Sequence, residues 1–396
     1  MLAKRMANFS GSATTAVTEK VVELRAAEKN IISLNVGEPD FNTPENIKQA
    51  GIQAIVDNQT RYGASNGLLD LRKEIVKKLK EDNGLTYTTE QICVTVGAKQ
   101  ALFNAFMAIA DAGDEVIVPV PCWVSYTELI KLANAKPVLV PLDKEQGYAL
   151  DLAAIEKAIT PNTRAIVICT PNNPTGAVYS EEQLRKLAEL AVKHDFYIIA
   201  DEIYEKLIYE GEKHFSIGSI SQEVWDHTIT INGFSKAYAM TGWRLGYIAA
   251  NDEVSGAIKK LQSQTTTSMP PMVQLAGLEA LVGDQSFISA MNAEFDKRRK
   301  YIIERLLAMP GITCPVPKGA FYVLPNVSAH FGKKYKGQVI NNAIDFATLL
   351  LDAGQVATVP GEAFFIPGTI RMAYANSLEN LAIAMDRLEA FIKELE

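Results

Sequence analysis

The chain of 396 residues is 48% hydrophobic and 21% charged, a balance that excludes a disordered or fibrous chain and allows a globular protein of two or three domains. Its 39 basic and 46 acidic residues leave a formal charge of −7, and with the two signs interspersed neither nucleic acid nor an anionic membrane is expected as the main partner. No run is apolar and long enough to span a bilayer, and the start, where Lys4 and Arg5 lead into Asn8, Ser10, Gly11 and Ser12, lacks the apolar core of a signal peptide, so a cytoplasmic location is expected.

In chain order, seven short β-branched runs alternate with helical patterns, at 92–96, 115–118, 137–140, 164–168, 197–200, 228–231 and 245–249. Because these runs are nearly all apolar, both their faces should be covered, as in a mostly parallel α/β sheet, with ligands at the strand C-terminal ends. Ser180 and Gln183 form a capping box ahead of Leu184, Leu187, Ala188 and Ala191, and His194 closes that helical pattern. Helical periodicity dominates after residue 252, including 295–307. A tail follows with a strand at 321–324, a helix over about 340–352, strands at 356–359 and 370–373, and a closing helix at 378–395. The division expected is a large domain over 46–296 and a smaller α+β domain made of 1–45 and 297–396.

The four histidines, His194, His214, His227 and His330, and the four cysteines, Cys93, Cys122, Cys169 and Cys314, are scattered without a His-x-x-x-His or Cys-x-x-Cys pair. No resident metal, disulfide framework or Ser-His-Asp relay is expected. The chemistry has to come from four other stretches, each of which follows a strand-like run.

The longest, Asn232 to Gly246, puts Lys236 in a loop rich in Gly, Ser and Thr between two apolar runs. A partly desolvated amine there is suited to forming a Schiff base with an aldehyde cofactor. Ser235 and Arg244 are spaced to reach a phosphate from either side of the loop. Asp201 ends another apolar run, either as a turn former or as a carboxylate that keeps a pyridine nitrogen protonated, and Tyr204 follows within reach of the same ring. Asn173, between Asn172 and Pro174, is either a turn residue or an amide for a ring oxygen and a substrate carboxylate. Gly97, Ala98 and Lys99 open a helix after 92–96, where free N–H groups make a phosphate cradle.

Together these motifs resemble the class I aminotransferases of the aspartate aminotransferase superfamily, in particular the bacterial aspartate and prephenate aminotransferase branch. The resemblance runs from Ser12-Ala13-Thr14 and Leu34 to Asp40, through Tyr62-Gly63, Val94 to Leu102, Pro121 to Tyr126, Asn172 to Gly176, Asp201 to Tyr204 and Ser235 to Arg244, to Pro360-Gly361 and Arg371. It implies the α/β aspartate aminotransferase-like fold, known as fold type I, with a seven-stranded mostly parallel sheet. It also implies pyridoxal 5'-phosphate as cofactor, amino acids and 2-oxo acids as small-molecule partners, and a homodimer with shared active sites. The reaction implied is ping-pong transamination between L-aspartate and 2-oxoglutarate through a pyridoxamine intermediate. Prephenate or aromatic transamination, and C–S lysis, are the alternatives in the same fold, and a non-catalytic ligand sensor is disfavoured by the intact lysine.

By the same resemblance Lys236 forms the Schiff base and shuttles the proton, Asp201 partners the pyridinium, Tyr204 and Asn173 hold the ring oxygen, and Trp123 stacks on the ring. The phosphate falls to Gly97, Ala98, Lys99, Ser235 and Arg244, with Tyr62 from the neighbouring subunit. Arg371 clamps the α-carboxylate, with Asn173, Trp123 and the backbone of Gly37 beside it. Relatives that read dicarboxylates with a second arginine carry it after the lysine motif, where this chain has Gln262 to Ser268 with no arginine. Lys99, with a hydroxyl from the Ser12 to Thr15 segment and Thr15 in particular, is expected to hold the distal carboxylate instead.

Overall fold

The computed structural model describes residue 2, residues 4–11 and residues 13–396. All seven apolar runs become strands of one sheet, ordered from edge to edge as Ile92–Val96, Leu245–Ala249, Thr228–Gly233, Tyr197–Asp201, Thr163–Cys169, Glu115–Val120 and Lys136–Pro141. Side-chain alternation sends Val167 and Ile199 to one face, against Ala101, Leu102, Ala105 and Phe106 of the helix Gly97–Ile109. Ile166, Ile168 and Ile198 go to the other face, against Leu184, Leu187, Ala188 and Ala191 of the helix Glu181–His194. Both faces are therefore dry, which is why the strands read as unbroken apolar runs. The capping box forms, with the Gln183 N–H donating to Ser180 Oγ at 3.2 Å and the Ser180 N–H to Gln183 Oε1 at 3.1 Å. His194 is the last residue of that helix.

One strand runs against the rest. Leu245–Ala249 is antiparallel to both of its neighbours, with Gly246 opposite Gly233 and Leu245 opposite Val96. Its beginning, at Arg244, therefore lies at the same sheet edge as the ends of the parallel strands at Cys169 and Asp201. That single reversal brings residues from the whole middle of the chain to one edge.

Outside the sheet, Ile32–Ser33 pairs in parallel with Val356–Ala357, and Val359–Pro360, Ile370–Ala373 and Tyr322–Val323 form an antiparallel sheet. The strand expected at 356–359 is thus two short strands in different sheets, with the buried Thr358 at the switch. The helix expected from 340 starts at Ala343, because Asn342 Oδ1 accepts the Asp345 N–H at 2.9 Å as its cap, and it ends in a wider turn over Leu350–Gly354. The helix expected at 295–307 begins earlier and spans Ser286–Leu307. No helix among the described residues is long and apolar enough to cross a membrane.

Candidate active site

At the strand ends a cavity of about 310 Å³ brings together residues from five of the predicted stretches, Gly37, Ala98, Trp123, Asn173 and Asp201 with Tyr204. Ser235, Lys236, Arg244 and Arg371 line the same cavity, as do Lys99, Thr14 and Thr15. Gly97 stands immediately beside it, since a Cβ there would lie 2.5 Å from an Arg244 guanidinium nitrogen. Tyr62 is not brought in. It is 92% exposed and does not line the cavity. The Ser12 hydroxyl lies outside the described residues. A wider groove of about 520 Å³, bounded by Glu74, Lys77, Lys78, Lys206, Tyr238 and Gln285, holds none of the predicted site residues.

Lys236 is partly buried, and its Nζ donates to the Gly37 carbonyl at 2.6 Å. Burial, followed by the charges of Arg244 and Arg371, pulls its ammonium down to about 8 against the opposing pull of Glu38 and Asp201. An amine so shifted is neutral for an appreciable fraction of the time near neutral pH, as a nucleophile or base requires. The Gly37 carbonyl gives it a fixed resting place, and Glu38 is itself held by the Thr241 hydroxyl at 2.9 Å.

Asp201 is 3% exposed at the pocket end of its strand. Its Oδ2 accepts from the Tyr126 hydroxyl at 2.6 Å, and its Oδ1 from the Ile203 N–H at 3.3 Å. Burial lifts its carboxyl to about 6 in spite of these two bonds. It is a poised anion that gains from any cationic N–H placed beside it. The Tyr126 role was missed in the sequence, where it reads as one more apolar position of the helix Ser125–Leu132.

Gly97 has φ +72°, and a Cβ on Gly246 would lie 2.6 Å from the Ala98 nitrogen, so both positions require glycine. The result is a bare backbone at the head of Gly97–Ile109, where unpaired N–H groups and the helix dipole favour an anion. Arg244 also has a positive φ, +58°, and one of its guanidinium nitrogens donates to the Thr241 carbonyl at 2.7 Å. It remains exposed at the cavity rim beside Gly97, with the buried Ser235 in the same cavity.

Arg371 is 2% exposed. One of its terminal nitrogens donates to Asn173 Oδ1 at 3.1 Å and the other to the Asn35 carbonyl at 2.6 Å, while its Nε has no partner among the described residues. Tyr322 and Phe364 sandwich it, at 4.7 and 4.8 Å from their ring centroids. The Tyr204 hydroxyl meets that of Tyr322 at 2.8 Å and Asn173 Nδ2 at 3.5 Å. Tyr322, which sequence reasoning passed over, thereby joins the Arg371 clamp to the Tyr204 side of the pocket. Its hydroxyl also occupies the space a side chain at residue 37 would need, since a Cβ there would lie 2.4 Å away.

Lys99 is exposed, with Nζ 4.9 Å from the Trp123 ring centroid, and burial of its stem followed by the Arg244 charge lowers its ammonium. Trp123 stands edge-on to Tyr126. The cysteines are free and buried.

The chain matches the family model for class I and II aminotransferases over residues 29–388. It is 42% identical over 393 residues to the aspartate aminotransferase of Bacillus sp. strain YM-2, covering 99% of both chains. It is 45% identical over 389 residues to the probable aspartate/prephenate aminotransferase of Thermus aquaticus, covering 98% of both. Among solved structures, the aspartate aminotransferase from Thermus thermophilus with maleate superposes with a TM-score of 0.94 at 43% identity over 99% of each chain. That from Rhizobium meliloti superposes with a TM-score of 0.96 at 38% identity over the full length of both. With that breadth of agreement behind the pocket just described, the chain belongs to the class I and II aminotransferases, a family that depends on pyridoxal phosphate.

Proposed function

We propose that the protein transfers the amino group of L-aspartate to 2-oxoglutarate, giving oxaloacetate and L-glutamate. The observation that carries this reading is that, besides Lys236 and the Arg244 beside the Gly97–Ala98 cradle, the cavity holds two further cations for a substrate with two carboxylates. Arg371 is fixed by Asn173 and Asn35, while Lys99 takes no carboxylate partner among the described residues. The names of the relatives support it, and so does the maleate, a dicarboxylate, in the Thermus thermophilus structure.

The residues present fit pyridoxal phosphate. The bare Gly97–Ala98 backbone, with Ser235 and Arg244 beside it, is a cradle that a Cβ would fill. When bound, the cofactor supplies a protonated pyridine ring that withdraws electrons from the substrate's α-carbon. In the proposed mechanism Asp201, steadied by Tyr126 and Ile203, holds the proton on the ring nitrogen. Tyr204, Asn173 and Trp123, which line the same cavity, would hold the ring, the first two through its oxygen. Arg371 and the backbone of Gly37 would fix the α-carboxylate, and so turn the α-proton towards Lys236 Nζ. Lys236 then takes that proton as a base and returns it as an acid. Lys99, with Thr14 and Thr15, holds the distal carboxylate.

A homodimer is part of the same reading. The exposed Ile52, Ile55 and Val56 form an apolar face for a second copy, and Tyr62 of the partner subunit would complete the phosphate cradle. So are the division into 46–296 and the remainder, and a cytoplasmic location. The test is a panel of aspartate, glutamate, alanine and phenylalanine as donors, with 2-oxoglutarate and prephenate as acceptors. The highest kcat/KM for the aspartate and 2-oxoglutarate pair supports the reading, and the highest with prephenate moves the protein to the prephenate branch named in its Thermus aquaticus relative. Release of ammonia and pyruvate from a single amino acid would replace both by β-elimination.

A further inference from the structure

We propose that Lys78, Asn83, Glu202, Glu205, His214 and Ser216 form a hydrogen-bonded, ion-paired mount that sets the position of Asp201 and Tyr204, so that these side chains are positioning residues for the reaction. The inference rests on the aminotransferase reading of the pocket but not on which donor is used.

The turn after the strand Tyr197–Asp201 has two faces. Asp201 and Tyr204 line the cavity, and the residues next to each, Glu202 and Glu205, are 2% and 9% exposed on the far side of it. There they meet the end of the helix Leu69–Asn83. Asn83 Nδ2 lies 3.1 Å from Glu202 Oε2, 2.7 Å from Glu205 Oε2 and 2.8 Å from Ser216 Oγ. The Ser216 hydroxyl donates to Glu202 at 2.9 Å, and His214 Nε2 lies 3.2 Å from the same oxygen and 4.0 Å from Glu205 Oε2. Lys78 pairs with Glu205 and donates to Asn83 Oδ1 at 2.7 Å.

The histidine and the two carboxylates bring their donor atoms within 4.8 Å of one another, the spacing at which carboxylates share a cation. The Lys78 ammonium pairs with one of them, Glu205. The two buried carboxylates face Lys78 and His214, and Asp82 lies 3.9 Å from Lys78 at the cluster's exposed side. Burial alone would raise the Glu205 carboxyl, but Lys78 and His214 bring it down to about 2, and the two glutamates raise His214 against its burial.

Buried ion clusters are poor sources of net stability because desolvation offsets most of the attraction. They are good at fixing geometry, since several groups are tied to one another at once, as Asn83 Nδ2 and His214 Nε2 are to both glutamates here. Here what they fix is the backbone between the carboxylate and the phenol that face the ring. A displacement of about 1 Å at such groups costs on the order of a hundredfold in rate.

The experiment compares holoenzymes carrying Glu205→Gln or His214→Asn with wild type and with Lys206→Gln. Lys206 is the matched control, because its 2.8 Å pair with Asp82 joins the same turn to the same helix and reaches the mount only through Asp82, which lies 3.9 Å from Lys78. The assay uses whichever donor gives the highest kcat/KM, so failure of the aspartate assignment leaves the outcome readable. The expected result for both mount variants is a kcat lower by about tenfold or more, a KM unchanged within about twofold, and a shift of about half a pH unit in the titration of the cofactor's visible absorbance. Lys206→Gln is expected to match wild type in all three. Lower thermal stability with unchanged kcat, KM and absorbance titration would overturn the proposal and leave the cluster a fold element only. If Glu205→Gln does not fold, His214→Asn, which leaves the Lys78–Glu205 pair in place, decides.

Discussion

Replacing Asp201 by Asn should make the cofactor-free protein relatively more stable as pH rises, and at the same time make the enzyme nearly inactive. Burial lifts the Asp201 carboxyl from 3.8 to about 6. A group whose folded pKa is raised contributes stability at pH below its unfolded value, and that contribution is lost as pH rises through the folded value. At about 1.4 kcal/mol per unit the whole loss is about 3 kcal/mol, of which a little under half falls between pH 5 and pH 7. Asn does not titrate. It has one acceptor oxygen where Asp201 uses two, so either the Tyr126 or the Ile203 donor goes unpaired, at a cost of about 1–3 kcal/mol that does not vary with pH. Urea unfolding of both cofactor-free proteins at pH 5 and pH 7 should therefore show the difference in stability moving by about 1 kcal/mol in favour of the variant. In the holoenzyme the sign reverses, because a ring N–H⁺ loses its anion. Losing one partner of a buried pair costs about 3–5 kcal/mol, so the half-reaction should slow by about a thousandfold, with dicarboxylate inhibitor binding little changed. A stability difference independent of pH, together with an unchanged half-reaction, would show that Asp201 only shapes the turn.

Lys236→Ala should abolish turnover and the absorbance of the lysine-bound cofactor while keeping much of the phosphate-anchored affinity, and persistence of that absorbance would refute the assignment. Gly97→Ala forces a Cβ into φ +72° and to within 2.5 Å of Arg244. It should cost about 1–2 kcal/mol in unfolding free energy and also weaken cofactor binding. Unchanged affinity at lowered stability would make Gly97 a turn residue only. Lys99→Met should lower kcat/KM for aspartate and glutamate by the value of one charge-assisted hydrogen bond, about 1.5–3 kcal/mol, and leave alanine and phenylalanine nearly unaffected. Equal losses on all four donors would place Lys99 with the cofactor or the fold.

The strands were legible because a sheet covered on both faces leaves few polar positions in the runs, mostly β-branched threonines such as Thr95, Thr228 and Thr230. Lys236, Asp201 and Asn173 were legible because each stands just past such a run, where a doubly covered sheet puts its ligands. Tyr126 was not, since a tyrosine on an amphipathic helix has the same pattern whether its hydroxyl is idle or bonded to a carboxylate 75 residues away. His214 was expected to stand alone because its two glutamate neighbours lie across a loop, an interval that no ligand spacing describes. The break at Thr358 escaped notice because two residues in each of two sheets have the same composition as four in one. Tyr62 has no place in the pocket of one chain, so the role expected of it rests on the proposed dimer, whose geometry the spacing of residues cannot encode.

The opposed shifts of Asp201 and Lys236 set an order of events. Lys99, Arg244 and Arg371 share one cavity with Lys236, against the two anions Asp201 and Glu38. Burial and then the arginines hold the Lys236 ammonium near 8, so its amine is partly neutral before any ligand arrives. An anion that settles on Arg244 or Arg371 cancels part of that repulsion and strengthens Lys236 as a base. The pocket thus offers a nucleophilic amine when it is empty of anions and a more basic one once a carboxylate is clamped, when a proton has to be taken from the substrate. It follows that capture of pyridoxal phosphate by the cofactor-free enzyme should quicken as pH rises through about 8, and that inorganic phosphate, seated at Arg244, should move this dependence to higher pH. Stopped-flow absorbance at several phosphate concentrations measures both. A capture rate that is flat from pH 6 to pH 9 would mean that Lys236 is not the titrating nucleophile, and the lowered pKa would then have no part in cofactor loading.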